Sequence, residues 1–274
     1  MDQTSDTSCQ TVEATVKYLA HQEKRPVFYI GVPKSEQKHE PPSFEKPKVV
    51  IRDAREALDR FSLETNGFEF RVQDLPQLDF LDRATVVEKY YRLSEEVVAE
   101  STNASRVIAF DHNVRDYELA SNDTRADSPV RFVHNDYTEN SAPQRVIDLM
   151  GSEAKKLLNK RYSFINIWRP LRGPVLDFPL GFIDSNSLSS DDFIESELRY
   201  MNRVGHIYSV INNPAHRWYF LDQMKSEEIL LLKCYDSETE NKARYTAHAS
   251  FKHPTFPENS LSRRSIETRT IAFF

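Results

Sequence analysis

Two hydrophobic rhythms divide the chain. Over residues 84–101 the apolar positions Val86, Val87, Tyr90, Tyr91, Val97 and Val98 recur at helical spacing, which predicts an amphipathic helix. The run Ser141-Ala142-Pro143-Gln144 reads as a capping box opening a second helix to about residue 160. Asp53 is placed to cap a short helix through Phe61, and another short helix is expected at 12–19, inside a polar, flexible N-terminal segment, 1–25. Between them, strands are predicted at 27–30, at 49–51, over the alternating Phe68, Phe70 and Val72 that follow the Asn66-Gly67 turn, and at 106–110. Residues 33–47 and 116–128 read as loops.

From Tyr162 onward short strands recur, parted by Pro, Asn and Asp clusters: 164–168, 180–183, 206–211, 218–221, 229–235, 245–251 and 265–274. Helical pattern early and many strands late predict a mainly β fold with flanking helices, a sandwich or an open barrel. There is no internal repeat and no linker, so residues 26–274 are read as a single domain with its helices mostly N-terminal.

Composition narrows the function classes. The chain has 274 residues and a net charge of −6, which gives no electrostatic support for nucleic-acid binding. No apolar run is long enough for a membrane helix, and the polar, acidic start does not resemble a signal peptide. Cys9 and Cys234 form neither a disulfide framework nor a zinc site, so a cytoplasmic location is expected. Only 6 glycines are present, none spaced for a GxGxxG or Walker loop, which removes the usual nucleotide-binding folds. The 17 phenylalanines and 12 tyrosines instead favour strands around a bulky apolar core or pocket.

Candidate chemistry begins at Val133-His134-Asn135-Asp136. In a strand, residues i and i+2 share a face, so His134 and Asp136 can both reach one divalent ion. A second histidine would complete the 2-His-1-carboxylate set that suits non-haem iron(II) and leaves three octahedral positions open. His21-Gln22-Glu23 has the same spacing but lies in the flexible segment. Near the C-terminus, His248 falls on a predicted strand, and Arg263 and Ser265 share a face of the next. A guanidinium two positions from a hydroxyl can hold a carboxylate. Because Arg263, Ser265, Glu267 and Arg269 all share parity, a solvated edge-strand face is the competing interpretation.

Several phrases together carry a resemblance: Asn166-Ile167-Trp168-Arg169-Pro170-Leu171, Gly173-Pro174-Val175, His216-Arg217-Trp218-Tyr219, Leu230-Leu231-Leu232-Lys233-Cys234-Tyr235-Asp236-Ser237 and Ser265-Ile266-Glu267-Thr268-Arg269. Upstream, Phe110-Asp111-His112-Asn113-Val114-Arg115 and His134-Asn135-Asp136-Tyr137-Thr138 belong with them. From about Phe28 to Phe274 the chain resembles the fungal secondary-metabolism hydroxylase/desaturase family, which includes the gibberellin desaturase and enzymes of cephamycin and aspergillic acid biosynthesis. The resemblance implies a double-stranded β-helix (jelly roll) and Fe(II)/2-oxoglutarate-dependent oxidation, with O2, of an unactivated C–H bond in a small natural-product intermediate. Hydroxylation, desaturation and oxidative cyclisation are all compatible with it.

Carried over by position, His134, Asp136 and His248 would be the metal ligands. Arg263 with Ser265 would hold the distal carboxylate of 2-oxoglutarate, and Arg269 is the competing anchor. The sequence departs from the family at Ser262, where proline is expected, and at Arg264, which replaces an acidic residue. Trp168 and Arg169 are candidate substrate contacts, with a core tryptophan and a carboxylate-bracing arginine as the alternatives. His112 and Arg115 are expected to support the metal site, while His216 is read as structural because no Arg-x-Ser follows it closely. Expected partners are a small-molecule substrate and, by default, a second copy in a homodimer, with no nucleic acid or membrane. Two other functions use the same residues: a catalytically silent β-barrel binding protein, and a metal-dependent hydrolase or isomerase.

Overall fold

A computed structural model describes residues 10–116, 119, 130–257 and 261–274. Cys9 and most of the expected 116–128 loop lie outside the described residues. Two sheets dominate. The larger runs, in spatial order, β1 (Thr11–Thr15), β5 (Lys48–Asp53), β13 (Trp218–Phe220), β10 (Leu180–Ile183), β15 (His248–Ser250), β8 (His134–Asn135), β12 (Val204–Val210), β11 (Phe193–Arg199) and β3 (Val27–Tyr29). The smaller is wholly antiparallel, in the order β6 (Phe68–Val72), β14 (Glu228–Asp236), β9 (Tyr162–Arg172), β16 (Arg264–Phe273) and β7 (Arg106–Asp116). A minor ribbon pairs β2 (Tyr18–Leu19) with β4 (Phe44–Glu45).

Side-chain alternation explains how the sheets stack. On β14, Leu230, Leu232 and Cys234 join Phe164 and Trp168 of β9 and Leu180 and Phe182 of β10 in one cluster between the two sheets. Each fully buried large apolar side chain there contributes about 1.5–3 kcal/mol. The intervening residues Ile229, Leu231, Ile165 and Ile167 point the other way and pack against Val97 and Val98 of helix α1 (Tyr91–Thr102). Both faces of β9 and β14 are therefore covered, which is why they read as near-continuous apolar runs. On the larger sheet, Ile183, Val133, Trp218 and Ala249 form a second cluster on the face away from the smaller sheet, with Ala14 and Val16. Two sheets enclosing a common core, with helix on the outside, is the jelly-roll arrangement.

Three expectations are corrected. Residues 12–19 are extended, not helical: Ala14, Val16 and Tyr18 are buried while Thr11, Glu13 and Thr15 are exposed, and β1 pairs antiparallel with β5. Within the segment expected to be flexible, Thr11–Thr15 is thus an edge strand of the larger sheet and Tyr18–Leu19 joins the minor ribbon. The second helix, α2 (Ser141–Met150), stops at Gly151 with φ of 52°, and only a short turn, Ala154–Leu157, follows. Its cap is not the Ser141–Gln144 box: Thr138 Oγ1 accepts from the Ser141 amide (3.0 Å) while Ser141 Oγ accepts from the Thr138 amide (2.8 Å). Finally, Asp53 leads into a 3-10 turn over Arg55–Arg60 rather than an α-helix.

Candidate metal centre

The two-residue strand β8 lies between β15 and β12, and its register sets His134 directly opposite His248. Asp136, two residues on, projects to the same side, and the His134 Nε2 to Asp136 Oδ1 separation is 3.5 Å. One ligand atom from each of His134, Asp136 and His248 lies within 4.8 Å of the others.

Both imidazoles are held by a backbone carbonyl two residues back. His134 Nδ1 lies 2.8 Å from Phe132 O, and His248 Nδ1 lies 3.1 Å from Thr246 O. A carbonyl only accepts, so each Nδ1 carries the proton and each Nε2 keeps its lone pair, the tautomer a metal ligand needs. Burial, with the neighbouring His248, pushes the His134 imidazole down to about 4, so it is neutral near pH 7. The Nε2 of His248 is buried with no hydrogen-bond partner.

Asp136 uses its two oxygens differently. Oδ2 accepts from Asn166 Nδ2 at 2.8 Å and from Arg269 Nε at 3.1 Å, while Oδ1 faces His134. Burial disfavours its charge, but the Arg269 guanidinium overcomes that and holds the carboxyl well below the usual carboxylate range. Asn166, Asp111, Asn113 and Glu267 were not singled out from the sequence as site residues. They come together through the pairing of β16 with β9 and β7, where Arg269 stands opposite Asn166 and Asp111.

Arg263 and Ser265 sit on the same inward face of this strand region. Arg263 is 4% exposed, and its Nη1 donates to Phe178 O (2.5 Å) and Ser250 Oγ (3.1 Å). Its Nε and the Ser265 hydroxyl are both buried without a partner. Burial lowers the Arg263 guanidinium to about 10, offset in part by Asp177, and leaves it charged at neutral pH. The Trp168 ring lies 5.4 Å from this guanidinium and packs in the core between the sheets. The edge-strand interpretation fails because β16 is an interior strand and Arg263, Ser265 and Glu267 are buried.

Arg169 does not reach the site. It alternates with Trp168 on β9 and is fully buried, donating to Ser226 O and Gln73 O (both 2.6 Å from Nη2). Its role is to tie two loops to the back of the sheet. His112 likewise faces α1, with Nδ1 3.0 Å from Tyr91 Oη, so its neighbours Asp111 and Asn113 support the centre instead. His216 is structural, as read: Tyr18 Oη is 2.8 Å from its Nδ1 and Asp192 Oδ2 is 3.0 Å from its Nε2. The two departures from the family pattern are absorbed locally. Arg264 pairs with Asp116 at 2.6 Å, and Ser262 O accepts from Arg172.

A family model described as "Oxidoreductase/YMDC permease-like domain" matches residues 16–273. The chain is 32% identical over 260 residues to the Fe(II)/2-oxoglutarate-dependent dioxygenase nvfI of Aspergillus novofumigatus (strain IBT 16806), covering 91% of each chain. The chain belongs to the Fe(II)/2-oxoglutarate-dependent dioxygenase family. Within that family it is also 32% identical over 250 residues to the hydroxylase/desaturase efuI of Hormonema carpetanum, covering 82% of this chain and 83% of efuI. The solved structure of the iron and alpha-ketoglutarate-dependent endoperoxidase NvfI superposes with a TM-score of 0.88 at 28% identity, over 96% of this chain and 98% of that one. The jelly-roll architecture and the family assignment are thus reached from sequence and structure alike. Membership makes the chain an oxidoreductase using Fe(II), 2-oxoglutarate and O2 on small natural products, and neither the silent-binder nor the hydrolase alternative is favoured. Among the described residues no helix is long and apolar enough to cross a membrane.

Proposed function

We propose that His134, Asp136 and His248 hold the Fe(II), that Arg263 with Ser265 anchors the distal carboxylate of 2-oxoglutarate, and that the enzyme oxidises a C–H bond of a natural-product intermediate in the cytoplasm. What carries this reading is a set of orphaned buried polar atoms, one on the larger sheet and two at the start of β16 in the smaller. His248 Nε2, Arg263 Nε and Ser265 Oγ have no protein partner. A buried polar group left unpaired costs about 1–3 kcal/mol, which a metal on His248 and a carboxylate on Arg263 and Ser265 would offset. Their chemistry matches what each would meet: a neutral imidazole for a divalent metal, and a guanidinium with a hydroxyl for a carboxylate.

The bound iron, 2-oxoglutarate and O2 supply an oxidant able to take hydrogen from an unactivated C–H bond, with succinate and CO2 as co-products. The chain's own residues do the rest. The Phe132 and Thr246 carbonyls keep the two imidazoles in the ligating tautomer. Asp136 stays ionised against its burial and adds one negative charge to the ligand set. Arg263, braced through Nη1 by Phe178 O and Ser250 Oγ, has its remaining donors for the cosubstrate and would orient it. The aromatic core about Trp168 excludes water from that side.

Anaerobic titration of metal-free protein with Fe(II) and 2-oxoglutarate tests the proposal. The expected result is a visible charge-transfer band that requires both components and is lost in His134→Ala. A band that persists in His134→Ala, or no band at all with both present, overturns it.

A further inference from the structure

Arg269 and Arg263 lie six residues apart on one face of the same strand region, yet their surroundings differ in kind. All three nitrogens of the Arg269 guanidinium are committed. Nε donates to Asp136 Oδ2 (3.1 Å), Nη1 to Asn113 Oδ1 (2.6 Å) and Asp111 Oδ2 (3.3 Å), and Nη2 to Glu267 Oε1 (2.8 Å). Turning it toward a cosubstrate would strip the partner from the largely buried carboxylates of Asp136 and Glu267. Arg263 has an unpartnered Nε, and the Ser265 hydroxyl two residues on is also unpartnered.

The consequence falls on Asp136. With two donors on Oδ2, from Arg269 and Asn166, the lone pairs left for a metal are those of Oδ1, which faces His134 Nε2. A carboxylate so loaded binds through one oxygen. That matters for the coordination count, because three single-atom protein ligands leave three octahedral positions, two for a chelating keto acid and one for O2. A carboxylate bound through both oxygens would take the last of these.

We propose that Arg269, together with Asn166, is a positioning residue that holds Asp136 as a one-oxygen ligand and so keeps the O2 position open, and that it takes no part in binding 2-oxoglutarate. This rests on the assignment of Asp136 as a metal ligand. The guanidinium is itself locked by Glu267, Asp111 and Asn113, so the carboxylate it steers has one orientation.

The test uses Co(II) as a spectroscopic probe in the full-length protein, alongside O2-dependent consumption of 2-oxoglutarate by the Fe(II) enzyme. In Arg269→Gln the Co(II) ligand-field spectrum is expected to change and its affinity to fall about 10- to 100-fold. At saturating metal, turnover should drop while the half-saturating 2-oxoglutarate concentration stays within about threefold. Arg269→Lys, which can still reach Oδ2 through one donor, should recover part of the wild-type spectrum. If Arg269→Gln does not fold, Asn166→Leu removes the other donor and should shift the same spectrum in the same direction. An unaltered Co(II) spectrum together with a large rise in the 2-oxoglutarate requirement overturns the proposal and makes Arg269 an anchor. Asp136→Ala separates the two levels: if it leaves the Co(II) spectrum as in wild type, the ligand assignment itself has failed.

Discussion

Replacing Arg263 by methionine removes the charge and the donors but keeps an unbranched side chain in the same slot. Its main-chain amide, which donates to both Asp177 oxygens at 3.1 and 3.0 Å, survives the change, so the strand entry stays pinned. What is lost is the cation facing a buried carboxylate. Breaking one side of a buried ion pair costs about 3–5 kcal/mol. At about 1.4 kcal/mol per decade, the 2-oxoglutarate affinity should fall by two to more than three decades, that is, at least about 100-fold. Ser265→Ala removes one hydrogen bond to a charged carboxylate, about 1.5 kcal/mol or more, and should cost at least about tenfold. Arg263→Lys keeps the charge without the planar fork and should fall between the two. The assay is the half-saturating 2-oxoglutarate concentration of the anaerobic charge-transfer band at saturating Fe(II), with Co(II) binding checked in each variant. Unchanged half-saturation in Arg263→Met, with metal binding intact, would refute the argument from the orphaned Nε.

Three further outcomes test the surroundings. Trp168→Leu should lower stability through a core cavity by about 2–3 kcal/mol and, by removing the ring 5.4 Å from Arg263, raise the 2-oxoglutarate requirement about fivefold; an unchanged requirement would separate the ring from the anchor. Gly67 has φ of +81° and an added Cβ would lie 2.1 Å from Thr246 Oγ1, which donates to Gly67 O, so Gly67→Ala should cost more than the roughly 1–2 kcal/mol of left-handed backbone alone; a denaturation midpoint equal to wild type contradicts this. Burial raises the Glu64 carboxyl, but hydrogen bonds from Lys242 and Arg161 outweigh it and hold the group at about 2 against an ordinary 4.5. A depressed acid contributes stability above its unfolded value and loses it as pH falls through its folded one. The stability advantage of wild type over Glu64→Gln should therefore be full above about pH 5 and shrink between 4.5 and about 2; a pH-independent difference counts against the pairing.

How far the site could be read in advance depended on how far apart its parts lie along the chain. His134 and Asp136 are legible as a pair because strand geometry alone puts i and i+2 on one side. His248 is legible only through the order of motifs, since its cross-strand position opposite His134 depends on a two-residue strand with no hydrophobic pattern. The brace on Asp136 was out of reach: Asn166 is 30 residues away and Arg269 is 133, and they meet through the register of three strands with irregularities in the pairing. The N-terminal strand was within reach. Thr11-Val12-Glu13-Ala14-Thr15-Val16 alternates strictly and is rich in β-branched residues, a strand period that outweighs its overall polarity. β11 offers less signal, because Glu195, Glu197 and Arg199 interrupt its apolar residues and every residue but Ser196 is only partly buried.

Parity alone could not say what Arg263, Ser265, Glu267 and Arg269 do, because the same four residues mean different things at different places in a sheet. On an edge strand they would be solvated and mutually indifferent. β16 instead lies between β9 and β7, so every charge on its inward face must find a partner or cost the fold free energy. Arg269 and Glu267 satisfy each other and Asp136. Arg263 is only partly satisfied by protein, and both its Nε and the Ser265 hydroxyl two residues on are buried without a partner. Trp168 and Arg169 teach the same rule at adjacent positions: once the tryptophan faces the inter-sheet core, the arginine must face outward, and only a strand covered on both sides turns that outward arginine into a buried clamp on Ser226 and Gln73. Which strands are interior therefore decides which charges serve the fold and which wait for a ligand.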